Sequence, residues 1–269
     1  MTDFHMHSRF SGDGEDALAD MVAAAYRAGC RRLAVTEHCN LDFDAAKIDI
    51  PPADLDGYAA EFARLKKSYA GKLGMAFGIE LGYDRHCGAG YAKILKKYGF
   101  EYVINSVHLI NGVDCYHGYF DRFGIKQALT NYLRAVRESL DAPYRFDSVG
   151  HFGYVTRNAP VGPDGFAAAD MSGAAPDLVD DILKTIISRG ILLEANSATR
   201  SARPPAVPDA KIFRRYRELG GELVVYGSDA HGTSAVLRSR PEVMAWLRDL
   251  GFRYHTVISG GRKIQLPIK

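Results

Sequence analysis

Ala17-Leu18-Ala19-Asp20-Met21-Val22-Ala23-Ala24-Ala25-Tyr26-Arg27-Ala28-Gly29-Cys30-Arg31-Arg32-Leu33-Ala34-Val35-Thr36-Glu37-His38 reads as one complete helix-to-strand unit. Residues 17–28 are rich in alanine, and Gly29 follows at the position where glycine commonly ends a helix. Residues 32–36 then form a short apolar run, and Glu37 and His38 stand where that strand should end. The same sentence is repeated along the chain. Further strands are predicted over 2–7, 75–81, 102–108, 148–151, 191–196 and 223–228, with a weaker one over 254–258. Helical patterns fill 55–69, 90–98, 125–140, 178–189, 210–219 and 242–250, and Gly99, Gly190, Gly220 and Gly251 follow four of them. Segments 159–176 and 197–208, rich in proline, read as loops. Seven or eight strands alternating with helices point to a parallel α/β barrel, one domain over residues 1–269.

Composition sets the outer bounds. The chain has 269 residues, 47% hydrophobic and 25% charged, with a net charge of +2, the balance of an ordinary globular domain. So small a net charge argues against a general nucleic-acid or membrane-surface binder. Cys30, Cys39, Cys87 and Cys115 are scattered without a C-x-x-C pair and read as free thiols of a reducing compartment. With no signal-like start and no long apolar run, the expectation is a cytoplasmic protein.

The histidines carry the functional signal. His5, His7, His38, His108, His151 and His231 fall at or just past strand ends, together with Asp13, Glu37, Glu80 and Asp229. In a parallel barrel all strand ends open on one face, so residues distant in sequence converge there. His5 and His7 are two apart on a strand and point to one side, and Asp229 and His231 repeat that spacing in Gly-Ser-Asp-Ala-His. Imidazoles mixed with carboxylates suit Zn, Mn or Fe better than Mg. A lone strand-end histidine is more often structural, and His255 is read that way; so many at successive strand ends favour a metal cluster.

These residues resemble the polymerase-and-histidinol-phosphatase (PHP) family of metal-dependent phosphoesterases. The resemblance rests on Asp3-Phe4-His5-Met6-His7-Ser8 with Ser11 and Asp13, Thr36-Glu37-His38, Gly78-Ile79-Glu80, Ser106-Val107-His108, Gly150-His151 and Gly227-Ser228-Asp229-Ala230-His231. It implies a distorted (β/α)7 barrel holding two or three divalent metals at the C-terminal ends of the strands. By that resemblance His5, His7, Glu80 and Asp229 bind one metal, and Glu80, His108 and His151 a second, with Glu80 bridging. Asp13, His38 and His231 bind a third, and Glu37 has no assigned ligand role. The compact length, without polymerase or nuclease segments, is similar to stand-alone members acting on L-histidinol phosphate.

The implied reaction is hydrolysis of a small phosphomonoester by water activated at the metals. Arg157 and Arg200, in loops shortly after strands, are the candidates for phosphate, with His117 a third. Asp13, His38, Asp229 and His231 are candidates for proton delivery as well as ligation, and Asp42 and Asp84 for a substrate ammonium. The competing readings are a phosphodiesterase or nucleotide phosphatase on the same site, another metallohydrolase such as an amidohydrolase, and a metal-binding barrel without turnover.

Overall fold

The computed structural model describes residues 1–160, 169–199 and 205–268, with the side chains of residues 44 and 45 excepted. Eleven strands follow in order among them: β1 Thr2–Asp3, β2 Arg32–Cys39, β3 Gly74–Gly82, β4 Tyr102–Ser106, β5 Leu109–Ile110, β6 Val113–Asp114, β7 Ser148–Val149, β8 Leu192–Asn196, β9 Val224–Gly227, β10 Tyr254–Ser259 and β11 Arg262–Pro267. Seven of them make one parallel sheet in the order β1-β2-β3-β4-β7-β8-β9. The sheet curls until its ends meet. Phe4 N–H donates to Tyr226 O at 3.0 Å, Asp229 N–H donates to His5 O at 2.7 Å, and Met6 and Ala230 form a parallel bridge. The distorted (β/α)7 barrel implied by the sequence is the observed architecture.

Helices cover the outside because one face of each is apolar at helical spacing. In Leu18–Arg27 the buried residues are Leu18, Met21, Val22 and Ala25, and in Ile125–Ser139 they are Ala128, Leu129, Tyr132, Leu133, Val136 and Ser139. Asp54 and Asp209 cap their helices, accepting backbone N–H groups of Gly57 at 2.9 Å and Lys211 at 2.8 Å. The helices Gly88–Tyr98 and Arg240–Asp249 each begin two residues earlier than the sequence pattern indicates. In the second, Pro241 lies in the first turn, where its missing N–H costs no helical bond.

The eighth, weaker strand does not join the barrel. β10 pairs antiparallel with β11, whose polar and exposed residues give no strand pattern. Val257 and Ile258 of β10 pack with Phe4, Ala34, Ala76, Tyr102, Ile104, Leu192 and Val225, and so plug the barrel at the end where its strands begin. The opposite end stays polar. Register sets up its chemistry directly: His38 on β2 pairs with Glu80 on β3. β5 and β6, a small ribbon after β4, were not foreseen, nor were the short helices Phe43–Ala46, Tyr119–Phe123 and Met171–Ala174. No helix among the described residues is long and apolar enough to cross a membrane.

Candidate metal centre

At the polar end of the barrel, four side chains from β3 and the two closing segments present donors to a common point. His5 Nε2 stands 3.1 Å from His7 Nε2, 3.3 Å from Glu80 Oε2 and 3.4 Å from Asp229 Oδ1. His7 Nε2 stands 3.5 Å from Glu80 Oε2 and 3.3 Å from Asp229 Oδ1. Donors arranged tetrahedrally about 2.0–2.2 Å from one ion lie roughly 3.3–3.6 Å apart, so the spacing fits a metal of that kind. All four residues are buried. Glu80 Oε2 lies 2.8 Å from His38 Nδ1 yet accepts no hydrogen bond, which leaves a buried anionic oxygen in need of a cation.

The other oxygen of Glu80 belongs to a second group. Oε1 is 2.8 Å from His151 Nε2 and 3.4 Å from His108 Nε2, and the two imidazole nitrogens are 3.3 Å apart. Ser106 Oγ donates to the same oxygen at 2.6 Å. A third group lies nearer solvent, where Asp13 Oδ2 is 3.5 Å from His38 Nε2 and 3.4 Å from His231 Nε2, with 3.3 Å between the two rings' nitrogens. Burial opposes charge on Glu80 and Asp229. The surrounding His5, His38 and His108 outweigh it for Glu80, and His5 and Arg157 for Asp229, so both carboxyls titrate well below the ordinary range.

A layer of hydrogen bonds holds the rings from behind. Ser11 Oγ lies 3.2 Å from His7 Nδ1, accepts the His38 backbone N–H at 2.9 Å, and donates to Glu37 Oε2. Ser8 Oγ donates to Glu37 Oε1 at 2.5 Å. Glu37 therefore orients ligand-bearing segments without offering an oxygen to any of the three groups; its own burial raises its pKa to about 7. Asn40 Oδ1 stands 2.9 Å from His108 Nδ1, and the Asp229 carbonyl 3.0 Å from His231 Nδ1. Such partners fix the imidazole tautomer that leaves the opposite nitrogen free to ligate.

Backbone at the strand ends is shaped for this convergence. His151 and Asp229 both have positive φ, 22° and 53°, a conformation that L residues hold only under constraint from their surroundings. Gly227 has no tolerable substitute, because a Cβ there would run into the Glu194 carboxylate and the Cβ of His5.

A cavity of about 410 Å³ opens over the three groups, with Asp13, His38, His108, His151, Asp229 and His231 in its wall. Arg157 lines it too. Its Nη2 donates to Asn196 Oδ1 at 2.7 Å and to Asp229 Oδ2 at 2.8 Å, and the guanidinium lies over the Tyr154 ring. Thus nine sequence-picked metal candidates and Arg157 meet at one site. His117 does not: its ring is 79% exposed and bonded to Asp114, while its neighbour Tyr116 turns into the cavity wall. Arg200 lies outside the described residues. Asp84 accepts the His86 N–H, and Asp42, pushed up to about 6 chiefly by burial, is likewise absent from the cavity wall.

Three contributors escaped the sequence reading. Arg238 adds a second cation to the wall, Tyr116 packs against Tyr154 with ring centroids 5.1 Å apart, and Glu194 bonds both His5 and His151. Glu194 had a legible signal. It is a single carboxylate inside the apolar strand Leu192–Asn196, and a carboxylate buried in a central parallel strand requires a partner.

The chain is similar to several known proteins. A probable histidinol-phosphatase of Clostridium acetobutylicum is 27% identical over 230 residues, which cover 85% of this chain and 86% of that protein. A histidinol-phosphatase of Lactococcus lactis is 26% identical over 263 residues, covering 96% and 94%. A crystal structure of histidinol phosphate phosphatase from Lactococcus lactis, complexed with Zn, L-histidinol and phosphate, matches with a TM-score of 0.84 and 23% identity over 98% of each chain. The PHP domain model matches residues 3–198, well over half of the chain, and the protein belongs to the PHP domain family.

Proposed function

We propose that the chain is a metal-dependent phosphomonoesterase that hydrolyses L-histidinol phosphate to L-histidinol and phosphate. The observation that carries this reading is Glu80, whose two oxygens face two different sets of imidazole donors. In this reading His5, His7, Glu80 and Asp229 hold one divalent ion, Glu80, His108 and His151 a second, and Asp13, His38 and His231 a third, drawn from Zn, Mn or Fe. Bound ions of this kind acidify water and neutralise phosphoryl oxygens. The residues do the rest. Arg157 meets the phosphate with a planar fork of N–H donors, and Arg238 adds positive charge to the wall. Tyr116 and Tyr154 offer flat faces to the imidazole ring of the leaving alcohol. His38 and His231, with Asp13 beside them, stand on the side toward solvent where the leaving oxygen needs a proton, whereas Asp229, held ionised by its neighbours, has none to give. Asp13 and His231 are the more open pair, their side chains 29% and 30% exposed.

The names of the relatives from Clostridium and Lactococcus support the substrate, and their alignments span nearly the full length of both partners. The test is a phosphoester panel on protein of measured metal content, containing L-histidinol phosphate, other amino-alcohol phosphates, nucleotides and a diester. A strong preference for L-histidinol phosphate is expected. Preference for the diester or a nucleotide would move the activity elsewhere in the family, and no hydrolysis by the metal-loaded protein would end the enzymatic reading.

A further inference from the structure

We infer that Glu194 is a positioning residue that sets both halves of the paired metal site from behind, a proposal that rests on the metal reading above. Glu194 lies on β8, 1% exposed, and offers no oxygen to any of the three donor groups. Its Oε1 is 2.6 Å from His5 Nδ1, and its Oε2 accepts the backbone N–H of His151 at 2.5 Å. By its distances His5 stands with His7 and Asp229 in the first donor group, and His151 with His108 at the other oxygen of Glu80 in the second. Glu80 joins the groups at the donor atoms; Glu194 joins them through the parts of the histidines that point away.

The two bonds do different work. A carboxylate oxygen facing Nδ1 keeps the proton on that nitrogen and leaves the Nε2 lone pair of His5 aimed at the point shared with His7, Glu80 and Asp229. The second bond holds the His151 backbone at φ 22°, a strained conformation, and from there the ring reaches Glu80 Oε1. Room for the carboxylate comes from β9, where any side chain at Gly227 would collide with it. Only a carboxylate satisfies both partners, since each is a donor. In Glu194→Gln, either the NH2 group meets the His151 N–H, donor against donor, or it meets His5 Nδ1. The latter pulls the ring into the Nε2–H tautomer and puts a proton where the metal should bind.

The test compares metal-free wild type with Glu194→Gln by cobalt(II) titration, read from visible d–d absorbance and from bound-metal counts. The variant is expected to bind about 10–100-fold more weakly at the paired positions, with an altered spectrum. The Asp13–His38–His231 group, which Glu194 does not touch, should still fill. Wild-type affinity and spectrum in the variant would overturn the proposal, because a merely structural carboxylate would leave the cobalt spectrum unmoved. A second measurement needs no variant and decides the matter if Glu194→Gln does not fold. In zinc-loaded, 15N-histidine-labelled wild type, His5 should carry its proton on Nδ1 with a strongly downfield resonance, and a bare Nδ1 would overturn the proposal. Wild type that takes up no more than one metal sinks the underlying metal reading instead, and this proposal with it.

Discussion

Arg157 donates to Asp229 Oδ2 at 2.8 Å, while Oδ1 of the same carboxylate stands 3.3 Å from His7 Nε2. Asp229 thus faces a donor group on one side and the guanidinium on the other. In the proposed reading, a phosphate bound by Arg157 would share it with this carboxylate rather than capture an idle cation.

Arg157→Ala should therefore lower kcat/KM at least roughly tenfold, the worth of a charge-assisted hydrogen bond of about 1.5–3 kcal/mol. Arg157→Lys should recover only part, since an ammonium retains charge and loses the fork. Metal content must be measured alongside, because the variant also strips a buried partner from Asp229. Full metal with wild-type kcat/KM in the Ala variant would place phosphate recognition elsewhere.

Glu80→Gln exchanges one of two anionic oxygens for an amide nitrogen. If its effect matches that of other supporting changes at metal sites, affinity at the paired positions should fall about 10–100-fold. Elemental analysis after dialysis against a weak chelator reads the loss. Unchanged metal content together with unchanged turnover rules out a bridging carboxylate.

Stripping the metals should soften the whole barrel. The candidate donors come from the first strand segment, β2, β3, the ends of β4 and β7, and the segment after β9, so ions bound there would tie the ring together. Ligand present at a hundred times its Kd stabilises a fold by about 2.7 kcal/mol per site. For a domain of this size that corresponds to a thermal midpoint several degrees higher, roughly 2–4 °C per kcal/mol. Equal midpoints with and without chelator would contradict ligation across the ring.

His255, on β10 and away from the donor groups, makes a pH prediction of its own. Burial, followed by Arg240 and the N-terminal amine, lowers its pKa to about 4. The unfolded chain takes up a proton near pH 6.5, which the folded chain refuses until about pH 4. Stability is therefore lost as pH falls through that window, by up to roughly 3 kcal/mol. Urea unfolding of metal-free wild type and His255→Gln at pH 7 and pH 5 isolates the effect. The wild type should lose stability relative to the variant at pH 5, and a constant difference would show that His255 titrates normally.

The barrel was legible because two simple periodicities sufficed, and the candidate donors because they stand at strand ends in motifs that resemble those of the PHP family. Helix stops such as Gly99 and apolar runs such as Leu33–Val35 mark the alternation, and a parallel barrel delivers all strand ends to one rim. Less visible were features set by a single turn of the backbone. The β5–β6 ribbon turns Tyr116 inward and His117 out, a difference of one residue that no local pattern announces. The β10–β11 hairpin hid because β11 is polar and exposed, so its pairing leaves no apolar alternation. Glu37 acts through Ser8 and Ser11, and Glu194 through the His5 ring and the His151 backbone; residue type alone does not separate such roles from ligation.

The seam of the barrel also has a consequence in time. Asp3 accepts the backbone N–H of Ser228, 225 positions away, and the His5 carbonyl accepts that of Asp229. During synthesis the first strand leaves the ribosome long before its closing partner exists. A nascent chain that already carries His5, His7, Glu80 and His108 goes through nearly half of translation without Asp229 or His231, and its donor groups stay incomplete. On the proposed reading, acquisition of metal by the whole cluster would follow completion of the last barrel strand, and a product truncated before Gly227 lacks the means to close its ring.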